Sequence, residues 1–324
     1  MEKFVRIALG LIIACATLLT SSASLADDYP SHPIKLLVGA PPGGTTDTIA
    51  RAIAGPMAAT LNQPVLVENR PGAGGNIAAE TVAKSAPDGY TLLASFSSHT
   101  INASLYPNLP YDPAADFTAI TKVATVPSLL VGYPQLQAGD LKALIDLAKA
   151  RPDKLTIGIG GIGSSLHLAG EKFKLMTGTH LLNVPYKGTA PALTDVLAGH
   201  VDLMFISLVT GAAQVRAGNL RAYGVTSPQR QPSLPDVPAI SEVVPGFESN
   251  AWFGVFGPAH LPPSITERLH AVIVAALADD TLRERLKNEG ATPVGDTSAE
   301  FAAFVRQDIE RWAPIVKTLG AMPN

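Results

Sequence analysis

Ile34-Lys35-Leu36-Leu37-Val38-Gly39-Ala40-Pro41-Pro42-Gly43-Gly44-Thr45-Thr46-Asp47 sets the grammar of this chain. Its first five residues are a short apolar run, the right length for a buried strand and too short for a helix. Proline and glycine then break the run. From Thr46 to Leu61 apolar side chains recur at Ile49, Ile53, Met57 and Leu61, four apart, which predicts a helix. A strand that passes through a glycine-rich turn into a helix is the repeating unit of α/β architecture.

The unit recurs on both sides of this stretch's neighbours. Val65-Leu66-Val67-Glu68 reads as a strand, Arg70 to Asn76 as a loop and Ile77 to Ser85 as a helix. Tyr90 to Ser95 is a third strand, ending in the small-residue loop Ser97-Ser98. A second block opens near Val126-Pro127, with strands at 128–132, 155–158, 182–186, 201–205 and 220–225 and helices at 141–150, 167–177 and 189–198. After a proline-rich stretch, Trp252 to Gly257 reads as one more strand, and Trp252 and Phe253 read as packing residues. Helices at 264–277, 280–289 and 299–319 close the chain. The economical arrangement returns these helices to the first block. The expectation is therefore an α/β protein of two lobes, each an open sheet flanked by helices. Residues 27–126 and 251–324 form lobe 1 and 127–250 form lobe 2. Two crossings, near Val126 and Asn250, make a hinge with a cleft between the lobes.

Ligands of open α/β sheets sit at the carboxyl ends of the strands. Gly43 and Gly44 leave backbone N–H groups uncovered there, and the helix that follows through Thr45, Thr46 and Asp47 presents the positive end of its dipole. That combination suits an anion; a helix start whose glycines merely turn the chain is the plainer alternative. Asp47, in the first turn, is a candidate ligand partner, though its place at the dipole's positive end suits a structural role. Gly160-Gly161-Ile162-Gly163-Ser164-Ser165-Leu166-His167 repeats the design in the second block. Ser164 and Ser165 read either as caps or as hydroxyl donors, and His167 either as a ligand contact or as a histidine satisfied within the first turn. Gly158, Gly160 and Gly163 also fit a dinucleotide fingerprint, but no acidic residue lies between Thr177 and Val184 to take a ribose.

Composition narrows the function. Of 324 residues, 47% are apolar and 16% charged, with a net charge of −3. No basic face points to nucleic acid. Lys3 and Arg6, the apolar run Ile7 to Thr20 and Ser24-Leu25-Ala26 read as a signal peptide over 1–26, cleaved before Asp27. The single cysteine, Cys15, falls inside it, in a stretch that also resembles a lipobox; a lipid tether is the lesser reading. The mature chain is then periplasmic and thiol-free, without disulfides or cysteine metal sites. There is no nucleophile elbow, no phosphate-binding lysine loop and no H-E-x-x-H. Seven histidines show no metal spacing. No catalytic residue, metal or cofactor is expected. Lys187 is a candidate cation for a carboxylate, though a solvated loop lysine is the simpler reading.

Several further stretches carry a likeness: Val67-Glu68-Asn69-Arg70-Pro71-Gly72-Ala73-Gly74-Gly75-Asn76, Pro87-Asp88-Gly89-Tyr90, Leu109-Pro110-Tyr111-Asp112, Gly163 to Gly170, Val184-Pro185-Tyr186-Lys187-Gly188, Leu234 to Pro238 and Trp252-Phe253-Gly254. Together with Pro41 to Asp47 they resemble the substrate-binding proteins of tripartite tricarboxylate transporters, the TctC or Bug receptors, in order along the mature chain. The resemblance implies a periplasmic receptor with the two-lobed, type II-like periplasmic-binding-protein fold, whose two loops, here Gly43 to Asp47 and Gly163 to His167, grip a carboxylate. It implies a third loop near the ligand at Ser97 and Ser98. Many members carry an acidic residue just after the strand matching Met204-Phe205; this chain has Ile206 and then Ser207. Its implied partners are a small carboxylate and membrane subunits of TctA and TctB type, with the receptor itself a monomer. A sensor module and an exported hydrolase are the rival readings. Without an acidic partner at 206, a ligand lacking a free amine is expected.

Overall fold

A computed structural model describes residues 29–161, 163–186, 188–288 and 290–318. The export signal, Cys15, the boundary at Ala26, Ile162 and Lys187 lie outside the described residues.

In chain order, strand β1 (Ile34–Val38) leads into helix α1 (Thr45–Leu61), β2 (Val65–Asn69) into α2 (Asn76–Ala83), and β3 (Thr91–Phe96) into α3 (Ser98–Leu105), before β4 (Phe117–Val126). The second body follows: β5 (Ser128–Gly132), α4 (Leu141–Ala150), β6 (Thr156–Ile159), α5 (Ser165–Thr177), β7 (Leu182–Pro185), α6 (Thr189–Leu197), β8 (Leu203–Ser207), α7 (Leu208–Arg216) and β9 (Arg221–Val225). The chain then returns through β10 (Ala251–Pro258), α8 (Pro263–Ala278), α9 (Asp280–Asn288), β11 (Thr292–Pro293) and α10 (Ser298–Thr318).

Two sheets result, ordered β11-β4-β10-β3-β1-β2 and β7-β6-β8-β5-β9. Their cores follow one plan. β1 pairs in parallel with β2 on one side and β3 on the other. β6 does the same with β7 and β8. β10 lies antiparallel beside β3 and β5 antiparallel beside β8. β1 and β6, each one strand in from an edge, thus have a parallel neighbour on both sides, and the loop that leaves each opens at a topological switch point.

The apolar run of β1 is explained by burial on both faces. Ile34, Leu36 and Val38 pack under Ile49, Ile53 and Met57 of α1 and Leu269 and Ile273 of α8. Leu37 faces the opposite layer, with Ala78 and Val82 of α2 and Phe301 and Val305 of α10. Each such aliphatic side chain contributes about 1.5–3 kcal/mol on burial. Trp252 and Phe253 fall on opposite faces of β10 and are buried in these two cores. In the second sheet α4 and α5 cover one face and α6 and α7 the other.

The sequence pattern marks no strand over 117–126, yet β4 is the longest strand described. Its run mixes Thr118, Thr121, Lys122 and Thr125 with apolar residues, and tertiary partners satisfy Thr118, Thr121 and Lys122. Thr121 Oγ1 donates to the Asp296 carbonyl at 2.8 Å, and Lys122 Nζ lies 3.1 Å from Asp296 Oδ2. The short helices α3 and α7 also lack a clear sequence signal.

The chain passes between sheets through Pro127 and returns between Asn250 and Ala251. Thr226, fully buried, clasps both crossings. Its Oγ1 accepts from Ser128 N–H at 2.7 Å and donates to Asn250 Oδ1 at 3.1 Å. Its own N–H donates to the Ser128 carbonyl, and its carbonyl accepts from Ser249 N–H. Thr226→Val keeps the shape and strands a buried N–H, so urea unfolding should show a loss of about 1–3 kcal/mol; an unchanged midpoint would mean the clasp contributes nothing.

Candidate ligand-binding site

The first switch-point loop is held by a side chain that follows it. Gly43 adopts φ +80°, a conformation that suits glycine, and its N–H donates to Asp47 Oδ2 at 2.9 Å. Asp47 is buried, and its carboxylate also accepts from Arg51 Nε at 2.9 and 3.0 Å and from Asn69 Nδ2 at 2.9 Å. Burial by itself would raise the Asp47 pKa. The hydrogen bonds from Arg51, the Gly43 amide and Asn69 overcome it and hold the carboxyl below its ordinary range. Gly44 is the N-cap of α1 and offers no side-chain cap, so the first N–H groups of the helix have no acceptor of their own.

The second loop repeats this geometry with different chemistry. Gly163 adopts φ +76°, and its N–H donates to His167 Nδ1 at 3.0 Å. His167 Nε2 lies 3.3 Å from Glu171 Oε1. Glu171 also takes Lys174 Nζ at 2.7 Å and Asn183 Nδ2 at 2.7 Å. Burial would raise the Glu171 pKa, but bonds from His167, Lys174 and Asn183 bring it down to about 2. The parallel is positional: Gly43 matches Gly163, the N-caps Gly44 and Ser164 match, and Asp47 with Arg51 matches His167 with Glu171. Asn69 and Asn183 both come from the edge strand, β2 or β7, that pairs in parallel with the strand leading into the loop. One difference is that Ser164 Oγ caps α5, accepting from His167 N–H at 3.2 Å.

Both loops sit close to the start of the next helix. A Cβ at Gly39 would lie 2.8 Å from Gly75 Cα, and one at Gly160 would lie 2.9 Å from Thr189 Cα. The second loop also touches the first lobe, since a Cβ at Gly163 would meet Leu105 of α3 at 2.4 Å. Behind it Leu168 of α5 packs with Ile101 and Leu105 of α3 and Trp312, Ile315 and Val316 of α10.

The structure therefore divides the residues singled out from sequence. Gly43, Asp47, Gly163, Ser164 and His167 hold the loops in shape through their own bonds. Ser97 is buried, and its Oγ accepts from Trp252 N–H at 2.9 Å, tying the third loop to β10. Ser207 caps α7, accepting from Thr210 N–H at 3.4 Å, and Ile206 before it is fully buried. The hydroxyls of Thr45, Thr46, Ser98 and Ser165 take no hydrogen-bond partner among the described residues. Sequence reasoning missed Arg51, Asn69, Glu171 and Asn183. The i,i+4 spacings of Arg51 and Glu171 were the available signal; the two asparagines gave none without knowledge of strand order. A cavity of about 530 Å³ lined by Leu208, Pro232, Asp280, Arg283, Glu284 and Lys287, among others, includes no residue of either loop and mixes both charge signs.

Residues 49–321 match the tripartite tricarboxylate transporter family receptor model. The chain belongs to this family. It is 39% identical to protein BugT of Bordetella pertussis over 316 residues, which cover 97% of this chain and 96% of BugT. Among solved structures it is similar to Rpa4515 of R. palustris with adipate, at 38% identity and a TM-score of 0.78, covering 92% of this chain and 100% of that one. MatC from Rhodopseudomonas palustris with bound malate matches at 34% identity and a TM-score of 0.74, covering 89% and 100%. The two-lobed fold is that of periplasmic binding proteins, and members of the family are substrate-binding receptors, not enzymes. Among the described residues of this receptor no helix is long and apolar enough to cross a membrane.

The depressed Glu171 pKa carries a sign. A carboxylate held below its unfolded value, roughly 4.3, stabilises the fold above that value and loses its contribution as pH falls towards 2. Glu171→Gln should flatten this acid limb. Urea midpoints measured from pH 5 to 2.5 check it: the wild-type curve should fall more steeply than that of the variant.

Proposed function

We propose that this receptor captures a small carboxylate without a free amine in the cleft between lobe 1, residues 27–126 with 251–324, and lobe 2, residues 127–250. It does so outside the cytoplasm, after export by the 1–26 signal, and delivers the ligand to the membrane subunits of a tripartite transporter. The observation that carries this reading is the pair of glycine loops, one at the switch point of each sheet, built alike and rich in donors.

The physical logic is replacement of water. Backbone N–H groups at the start of α1, with the hydroxyls of Thr45, Thr46, Ser98 and Ser165, take over the hydrogen bonds of carboxylate oxygens. The helix dipoles favour the negative charge. A ligand held by both lobes binds the closed arrangement better than the open one and shifts the population towards it. Adipate on Rpa4515 and malate on MatC support the ligand class, since neither acid carries an amine. The electrostatics support it further. An ammonium entering this site needs an acceptor. Asp47 already receives Gly43, Arg51 and Asn69, Ile206 is apolar, and the Ser207 oxygen serves α7.

Gly44 gives a clean test. Its φ of −79° is open to any residue, and an added Cβ would meet only the Pro41 carbonyl, at 3.4 Å. Gly44→Leu should leave the thermal midpoint within about 2 °C of wild type, a change below 1 kcal/mol for a chain this size. It should weaken the acid that binds best in a thermal-shift panel by at least tenfold, about 1.4 kcal/mol. In that panel diacids and hydroxy acids should stabilise the protein more than aspartate or glutamate. The reverse order would overturn the amine-free assignment, and unchanged affinity in the variant would remove the first loop from the site.

A further inference from the structure

The second loop differs from the first in one respect that chemistry makes consequential. Asp47 and His167 do the same task, accepting the N–H of a left-handed glycine four residues earlier. A carboxylate keeps its lone pairs from neutral pH down to strong acid. An imidazole does not, because histidine is the side chain whose ordinary titration falls between pH 5 and 8. The bond from Gly163 requires a lone pair on Nδ1, which places the ring's proton on Nε2, towards Glu171.

Resting on the function proposed above, we infer that His167 is a positioning residue that makes ligand affinity fall on acidification. Protonation at Nδ1 sets two donors against each other, and one has to move. The ring is held by Glu171 and is buried in the first turn of α5, so the Gly163 peptide is the part that yields. Gly163 lies against Leu105 of the opposite lobe, and its displacement disturbs the closed arrangement as well as the loop. Neither ring nitrogen remains for the ligand.

The surrounding charges leave this assignment to His167. On α5 they are Glu171, Lys174, which pairs with it, and Lys172, which donates to the Glu248 carbonyl at 2.7 Å; burial brings the Lys172 pKa down to about 8, at the alkaline edge of the range, and the His167 variant keeps that group unchanged. On α10, Asp308 and Arg311 pair with each other and act on Lys172. On α3, His99 is buried with Nε2 on the Pro113 carbonyl and titrates near pH 4. Strands β6, β7 and β8 carry no charged side chain over their ranges. The sign is fixed by linkage: the neutral ring belongs to the binding-competent loop, so affinity is full on the alkaline side and lost as pH falls through the ring's titration.

Two measurements test this. In 15N NMR of the ligand-free protein between pH 8 and 5, the Gly163 amide should shift with the midpoint of the His167 ring, while the Gly43 amide stays flat. A Gly163 amide that ignores the ring, or a ring that does not titrate in this range, overturns the inference. Calorimetry with malate as probe then compares wild type with His167→Asn, whose side-chain oxygen supplies the acceptor as Asp47 does. Wild-type affinity should fall by up to about tenfold per pH unit beyond the midpoint. The variant should stay within about threefold of wild type at pH 8 and show only the slope of malate's own ionisation. Equal slopes, or wild-type affinity that rises on acidification, overturn it. Should malate and the rest of the acid panel bind neither protein at any pH, the proposed ligand class fails, and the Gly163 amide still decides the role of His167.

Discussion

The amide of a left-handed glycine, satisfied by a side chain in the first turn of the helix that follows, is the constraint on which both halves of this site depend. A loop that turns its later N–H groups outwards for an anion must turn at least one inwards. An inward amide without a partner costs about 1–3 kcal/mol, enough to let a short loop collapse into other shapes. Asp47 in one lobe and His167 in the other remove that cost. Both are in turn held from behind, by Arg51 with Asn69 and by Glu171 with its partners. Both loops owe their shape to bonds made within the protein.

The two loops also depend on where their sheets place them. Each follows the strand next to one edge of its sheet, β1 or β6, where the chain crosses to a neighbour on either side and leaves a crevice. The Thr226 clasp keeps the two crossings together at the hinge, and the cluster of Leu168 with Ile101, Leu105 and Trp312 brings α5 against the first lobe. The long interior strands β4 and β10 pair along their length and leave the hinge to a few residues at 127 and 249–250. Binding energy that differs between open and closed arrangements is then available for capture and release.

Much of this was legible in the sequence because it is written in local pattern. The apolar runs of β1 and β6, the four-residue spacing of α1 and the glycines that end each strand follow from periodicity and backbone sterics alone. β4 was not legible, since its Thr121 and Lys122 look unsuited to an interior strand until Asp296, far along the chain, is seen to receive them. Arg51 and Glu171 stood at helical spacing from the residues they hold. Asn69 and Asn183 gained meaning only once β2 and β7 were known to lie beside β1 and β6.

By itself the sequence determined the α/β class, the export signal expected over 1–26, the two glycine loops and the family likeness, since each is a property of contiguous residues. The tertiary structure decided which of the named polar residues are scaffold and which remain free. Asp47, Ser97, Ser164, His167 and Ser207 were each open to a ligand-contact or a structural reading from sequence, and each is engaged by a backbone N–H. The physical reason is that a hydroxyl, carboxylate or imidazole carries the same lone pairs wherever it stands. Only the fold determines whether a buried amide of the chain itself reaches them first.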